Sequence, residues 1–258
     1  MKWVIISSTI LFFTVQLSGQ DLNIHKSGGA VISIPLSDID SLTFDYNGGS
    51  FECGVSTVED YDGNVYNTVQ IGDQCWLAVN LKTTHYRNGT AIENPENNLD
   101  WENNTNGAYV WQNNNIAWKE PYGGLYNWLA LANVNGLCPE DWHVPSDGEW
   151  QEMIAYLGGG EVAGGKMKST RTDPDEHPRW AVPNTDASNT SGFTGFPGGW
   201  RSNSGTFHGV GLSGLWWSST DDHVNATAYF RELMYDSGSV SASYFSKKYG
   251  LSVRCVKD

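Results

Sequence analysis

Val144-Pro145-Ser146-Asp147-Gly148-Glu149-Trp150 is the stretch from which the rest of the chain can be read. A serine hydroxyl at position 146 can accept from the free amides of a helix start. Glu149, three residues on, can reach back to the amide of the cap, which makes a capping box. The helix so predicted runs through Gln151 to Leu157, carries Trp150, Ile154 and Leu157 at helical spacing, and stops at Gly158-Gly159-Gly160. From those glycines to the end, the chain reads as short strands and glycine-rich loops, closing on Gly250 to Lys257.

Upstream of the helix the pattern changes. Leu125 to Ala132 is apolar enough for a buried helix, whereas Asn88 to Asn115 is asparagine-rich, lacks apolar periodicity and reads as mostly surface loop. Earlier still, Ser56 to Tyr61 and Val65 to Ile71 alternate on either side of Asp62-Gly63-Asn64, which predicts a hairpin because glycine accepts the positive φ of a tight turn. A small β unit is expected over residues 21–50: Leu22 to Lys26 and Ala30 to Pro35 flank a turn at Ser27-Gly28-Gly29. Ser37 to Phe44 follows as a helical turn or a further strand, and Asn47-Gly48-Gly49-Ser50 as a linker.

The N-terminus reads as an export signal over residues 1–20. Met1-Lys2 gives a positive start, Trp3 to Val15 is almost wholly apolar, and Ser18-Gly19 supplies a small-residue exit. The apolar run is shorter than the roughly 20 residues that span a bilayer, and no transmembrane segment is expected in the mature chain. A secreted, extracellular or cell-surface location follows from this reading. All four cysteines, Cys53, Cys75, Cys138 and Cys255, lie in the exported part and imply two disulfides with three pairings open. The favoured pairing is a local staple, Cys53–Cys75, with a long closure, Cys138–Cys255. The formal net charge of -14 argues against nucleic acid, which needs clustered cations to neutralise phosphates. The 12 tryptophans and 29 glycines, with only 17% charged residues, argue for a packed domain rather than a disordered chain.

Several motifs together resemble one family, the Fibrobacter succinogenes major paralogous domain. They include Asp62 to Gly72 with Gln74-Cys75-Trp76, Tyr122-Gly123-Gly124-Leu125-Tyr126-Asn127-Trp128, and Leu137-Cys138-Pro139 with Trp142 to Ser146. Pro197-Gly198-Gly199-Trp200-Arg201, Trp216-Trp217-Ser218-Ser219-Thr220 and Ser252 to Asp258 complete an ordered match over residues 51–258. The resemblance implies an α+β, C-type-lectin-like fold, related to formylglycine-generating enzymes, with short irregular strands, one or two helices and long loops. It brings no established activity. It also implies that a cysteine near an early helix pairs with one on the last strand, which fits Cys138 and Cys255.

The chemistry suggested by that fold does not transfer. Calcium-dependent lectins carry Glu-Pro-Asn or Gln-Pro-Asp and Trp-Asn-Asp, whereas this chain has Glu93-Asn94-Pro95-Glu96 and follows Trp217 with Ser218-Ser219. Asp60-x-Asp62-Gly63-Asn64 lacks the distant glutamate of a calcium loop and reads as a turn. The pair of reactive cysteines used by formylglycine-generating enzymes has no counterpart, because only Cys255 lies in the C-terminal part. His143 beside Trp142 reads as a packed residue. Gly160 to Met167 nearly spells a phosphate loop but ends on Met167, where magnesium needs Ser or Thr. The adjacent pairs Glu140-Asp141 and Asp221-Asp222 are poorly placed to face each other across a glycosidic bond.

No catalytic residue, metal ligand or cofactor is therefore assigned. The candidate ligand-binding residues are Trp101, Tyr109, Trp111 and Trp118, rings in the asparagine-rich region that could stack on a sugar while amides bond its hydroxyls. The competing reading is that these rings pin a long loop to the domain. The expected function is a noncatalytic module that binds an extracellular glycan or surface protein through its loop face. A hydrolase on the same fold and a structural or adhesive protein without a small ligand are the alternatives.

Overall fold

The computed structural model describes residues 16–18, 21–25, 31–35, 51–222 and 225–258. The chain divides into two compact units, Met1–Ser50 and Phe51–Asp258. In the first unit, β1 (Gln16–Ser18), β2 (Asp21–His25) and β3 (Val31–Pro35) form an antiparallel meander with Leu22 opposite Ile34 and Ile24 opposite Ile32. β1 falls inside the stretch that the leader reading assigns to residues 1–20. The apolar run Trp3–Val15, the turn at Ser27–Gly29, the segment Ser37–Phe44 and the linker at residues 47–50 lie outside the described residues.

The second unit is mixed α+β, with mostly strands and few short helices. One sheet takes β4 (Thr57–Glu59), β5 (Val65–Ile71), β6 (Gln74–Leu77), β9 (Trp142–His143) and β16 (Val256–Lys257) in the order β4-β5-β6-β16-β9. The larger sheet takes β7 (Tyr109–Val110), β8 (Leu125–Asn127), β10 (Gly198–Arg201), β11 (Phe207–Val210), β12 (Ser213–Asp222), β13 (Thr227–Met234), β14 (Val240–Ser246) and β15 (Gly250–Leu251). Its order is β14-β13-β12-β10-β15-β8-β7, with β11 also paired to β10. The helices are α1 (Asn98–Asn103), α2 (Lys119–Tyr122), α3 (Trp128–Leu131), α4 (Asp147–Tyr156) and α5 (Gly160–Met167).

Helix α4 starts at Ser146 with both halves of the capping box made: Glu149 N donates to Ser146 Oγ, and Glu149 Oε2 accepts from Ser146 N at 2.7 Å. Trp150 and Met153 are fully buried on its inner face, and Gly158 and Gly159 end it in left-handed backbone. The hairpin β4–β5 forms with Val58 opposite Tyr66. Its turn is organised by Asp60, whose Oδ1 accepts from the amides of Asp62 and Asn64.

Three expectations need correction. Leu125–Ala132 is a strand followed by a single helical turn, because Asn127 is extended and its side chain accepts from Ala130 N, so the helix can begin only at Trp128. Asn88–Asn115 is mostly exposed, as expected, but it is not only loop: it contains α1, β7 and a 3-10 turn at Gln112–Asn114, and buries Trp101, Ala108, Val110 and Trp111. Its asparagines bond locally, as Asn97 does in capping α1 and Asn104 and Asn106 do in donating to Glu93. Residues 160–167, expected as loop, form α5. Gly164 and Gly165 are needed there for close approach: a Cβ would lie 2.1 Å from Ser239 O and 2.4 Å from Asp186 O.

Two disulfides, Cys53–Cys75 and Cys138–Cys255, staple this unit. The second spans 117 residues and joins the segment before β9 to the segment before β16. Closing a loop of that size removes about 4–5 kcal/mol of denatured-state entropy on the chain-entropy model. One core cluster gathers Tyr66, Trp142, Trp217 and Phe230 around Cys138 and Cys255; another gathers Trp76, Trp150, Trp180, Phe193 and Trp216.

Between these clusters lies Arg254, with no exposed surface. Its Nη1 donates to Leu77 O at 2.8 Å and Phe193 O at 2.6 Å, while Nε and Nη2 donate to Asn80 Oδ1. We expect Arg254→Met to lower stability in urea denaturation by about 3 kcal/mol or more, because buried carbonyls lose their donors. A loss below about 1 kcal/mol would show that other donors replace the guanidinium.

His143 on β9 offers a second test. Its Nε2 meets Glu149 Oε1 at 2.7 Å and its Nδ1 meets Asp258 Oδ1 at 2.5 Å. Burial pushes its pKa down, but the bonds to Asp258 and Glu149 outweigh this and hold it above the ordinary 6.5. The imidazolium cross-link therefore stabilises fully below about pH 6.5, and its contribution fades as pH rises through the higher folded value. Glu149, held below its ordinary value, stays ionised throughout. Thermal melts should show wild-type stability falling relative to His143→Gln across that rise; parallel curves would refute the cross-link.

Candidate functional site

Burial separates the four candidate rings. Trp101 is 2% exposed and lies under Arg201, with the guanidinium carbon 4.6 Å from its ring centre. Tyr109 and Trp111 are buried and pack edge-to-face at 5.2 Å. A ring must offer a face to solvent before a sugar can stack on it, so these three lack the surface that the sequence reading requires. Trp118 is different. It is half-buried, with its ring centre 5.3 Å from that of Tyr122 and 5.1 Å from that of His177.

Tyr122, on which the Trp118 ring packs, lines a groove of about 520 Å³. Alternation along β5 turns Tyr66 and Thr68 inward and leaves Val65 and Asn67 on the groove wall. The segment after β6 adds Asn80 and Lys82, α2 adds Glu120 and Tyr122, and an exposed loop adds Arg171 and Pro178. Lys82 and Glu120 form an ion pair across it.

The groove wall is fixed by internal bonds. Asn80 Nδ2 donates to Tyr122 O at 2.8 Å, and the following Gly123 has φ +75° with no room for a Cβ, which would lie 2.7 Å from Leu81 O. Burial pushes the Tyr122 phenol up to about 12, so at neutral pH the hydroxyl keeps its proton, and it shares a hydrogen bond of 2.6 Å with His177 Nδ1. Partial desolvation, then the neighbouring Arg179, lower the pKa of His177.

A second, smaller cleft of about 190 Å³ is lined by Glu59, Tyr61, His85, Arg87 and Glu140, among others. Here His85 Nδ1 bonds Asp62 Oδ1 at 2.5 Å. Asp62 Oδ2 also accepts from Thr84 N and Thr84 Oγ1. Burial works against the charge on Asp62, but the Thr84 and His85 bonds outweigh it and hold the carboxyl below its usual range. Asp62 thus holds Nδ1, and Nε2 has no protein partner among the described residues. Asp60 and Asp62 thus serve the turn and His85, and their oxygens are taken up by protein donors.

All four cysteines are in disulfides, so Cys255 offers no thiol for oxidation chemistry. Tyr122, His177 and Arg171 were missed as site residues. Tyr122 was visible only as part of a glycine-rich motif, and nothing in the residue order brings loop 171–178 to it.

Residues 69–257 match the family model described as the Fibrobacter succinogenes major domain. No curated protein and no solved structure matches the chain.

Proposed function

This chain belongs to the Fibrobacter succinogenes major domain family, and we propose that it is an exported, noncatalytic module that binds an extracellular glycan in the groove beside Trp118. The observation that carries this reading is the half-buried Trp118 ring packed on Tyr122, a residue that lines a groove large enough for a few sugar units. An amphipathic ring held at the surface covers the apolar face of a pyranose, while Asn67, Lys82 and Glu120 offer donors and acceptors to its hydroxyls. The two disulfides support an oxidising compartment. The C-type-lectin-like assignment belongs to the same proposal, supported by the bridge from Cys138, just before α4, to Cys255 beside the last strand.

A hydrolytic reading is favoured by one feature, the Asp62–His85 pair. An aspartate that orients an imidazole and leaves its other nitrogen free can draw a proton from water. Turnover of a chromogenic ester or glycoside that disappears in His85→Ala and in Asp62→Asn would establish it. Equal turnover by both variants would dismiss it.

The binding reading is tested on a glycan array with the full chain produced in an oxidising compartment. Trp118→Ala should weaken binding about tenfold or more, in line with the loss of one stacking ring. Trp118→Phe should retain part of the affinity, and both variants should keep the wild-type melting temperature. Absence of any glycan binding by the wild type, with or without calcium, would sink the reading.

A further inference from the structure

We propose that the groove selects an anionic glycan, one built on uronic acid units, and that Arg171 holds the sugar carboxylate. This rests on the glycan reading above and deepens it.

The argument begins with how the chain uses its arginines, of which there are six. Arg201 and Arg254 are fully buried and donate to backbone carbonyls and asparagine side chains. Arg231 is paired with Asp147, and Arg179 with Asp173. Arg87 donates to Cys138 O at 3.1 Å and Trp142 O at 2.8 Å. Arg171 departs from this pattern. It is exposed, its guanidinium makes one internal bond, Nη2 to Glu176 O at 2.6 Å, and it has no carboxylate partner among the described residues.

Arg171 is one of the residues that line the groove. The other cation on the wall, Lys82, is already neutralised by Glu120. Arg171 therefore leaves a positive charge without a carboxylate partner among the described residues in a groove of a chain whose formal net charge is -14. Asp175 and Glu176 are exposed on the same loop and make no ion pair with it, so they temper the local potential without occupying the donors. The remaining N–H groups of Arg171 match a carboxylate, which a planar guanidinium binds through charge-assisted bonds. Val65, Pro121, Pro178 and Phe196 provide apolar wall for the sugar ring.

The test is calorimetric titration of the full chain with short oligouronides of galacturonic, mannuronic, guluronic and glucuronic acid. Each is paired with its methyl ester, and neutral xylo- and cello-oligosaccharides are included. At least one free acid should bind about tenfold more tightly than its ester, since a guanidinium bonds a charged carboxylate more strongly than a neutral ester. High salt should narrow that gap. Arg171→Gln should abolish the acid–ester difference while leaving the affinity for the ester unchanged, and Arg171→Lys should restore part of it. If esters or neutral oligosaccharides bind as well as acids, or if Arg171→Gln keeps the preference, the anionic assignment fails while the glycan reading stands. If no saccharide binds, both fail.

Discussion

The structure depends on a guanidinium buried without a counter-ion among the described residues. Removing Arg254 from water opposes its charge, and burial pushes its pKa down accordingly. What offsets this cost is a ring of oxygens: Leu77 O, Phe193 O and the Asn80 side chain, with the Phe193 ring centre 4.1 Å from the guanidinium carbon. A fold with many short strands leaves buried carbonyls outside any ladder, and such groups are costly when unpaired. Arginine supplies several donors in a rigid fork at one point. Arg201 repeats the device, donating to Gly205 O, Pro95 O and Glu96 O between the rings of Trp101 and Phe207. Lys168, pushed down to about 8 by burial, does the same for Met234 O and Ser237 O.

These buried cations also explain how a loop-rich surface can hold a shaped groove. Asn80 Oδ1 accepts from both Arg254 and Trp216 Nε1, while Asn80 Nδ2 donates to Tyr122 O. The groove wall is therefore bonded directly to the most buried part of the domain, and the Cys138–Cys255 bridge lies next to it in sequence. A ring on such a wall loses little further freedom on binding, which is the condition for a shallow site to hold a ligand at all.

The sequence exposed what is local and concealed what is assembled. The α4 capping box and the β4–β5 hairpin were legible because a few neighbouring residues settle each of them. The helix α5 was not, since glycines at 164 and 165 lower helix propensity and are required by contacts with Ser239 and Asp186 far along the chain. Asparagine density around residue 100 suggested solvent, yet Trp101 and Trp111 are core because Arg201 and the sheet cover them. Of the four rings proposed for ligand binding, only Trp118 keeps a partly open surface, and its partners Tyr122 and His177 come from separate segments. Periodicity carries no information about such meetings.

The two clefts are not independent. Tyr66 OH donates to Asp60 Oδ2 at 2.6 Å and accepts from Lys82 N at 3.0 Å, and Asn64 Nδ2 also reaches Lys82 O. Asp60 lines the small cleft and Lys82 lines the groove, so a buried tyrosine forms the partition between them. Burial and the adjacent Asp60 carboxylate raise the Tyr66 pKa, which keeps it a neutral hydroxyl able to donate and accept at once. A partition bonded on both sides cannot adjust to different ligands. The groove's other described lining includes the exposed loop bearing Arg171 and Pro178. That loop is tied to Tyr122, whose hydroxyl accepts from Arg179 N and shares a hydrogen bond with His177 Nδ1. Rigidity on one side and an exposed, charged loop on the other is how one fold can keep its core while changing its ligand.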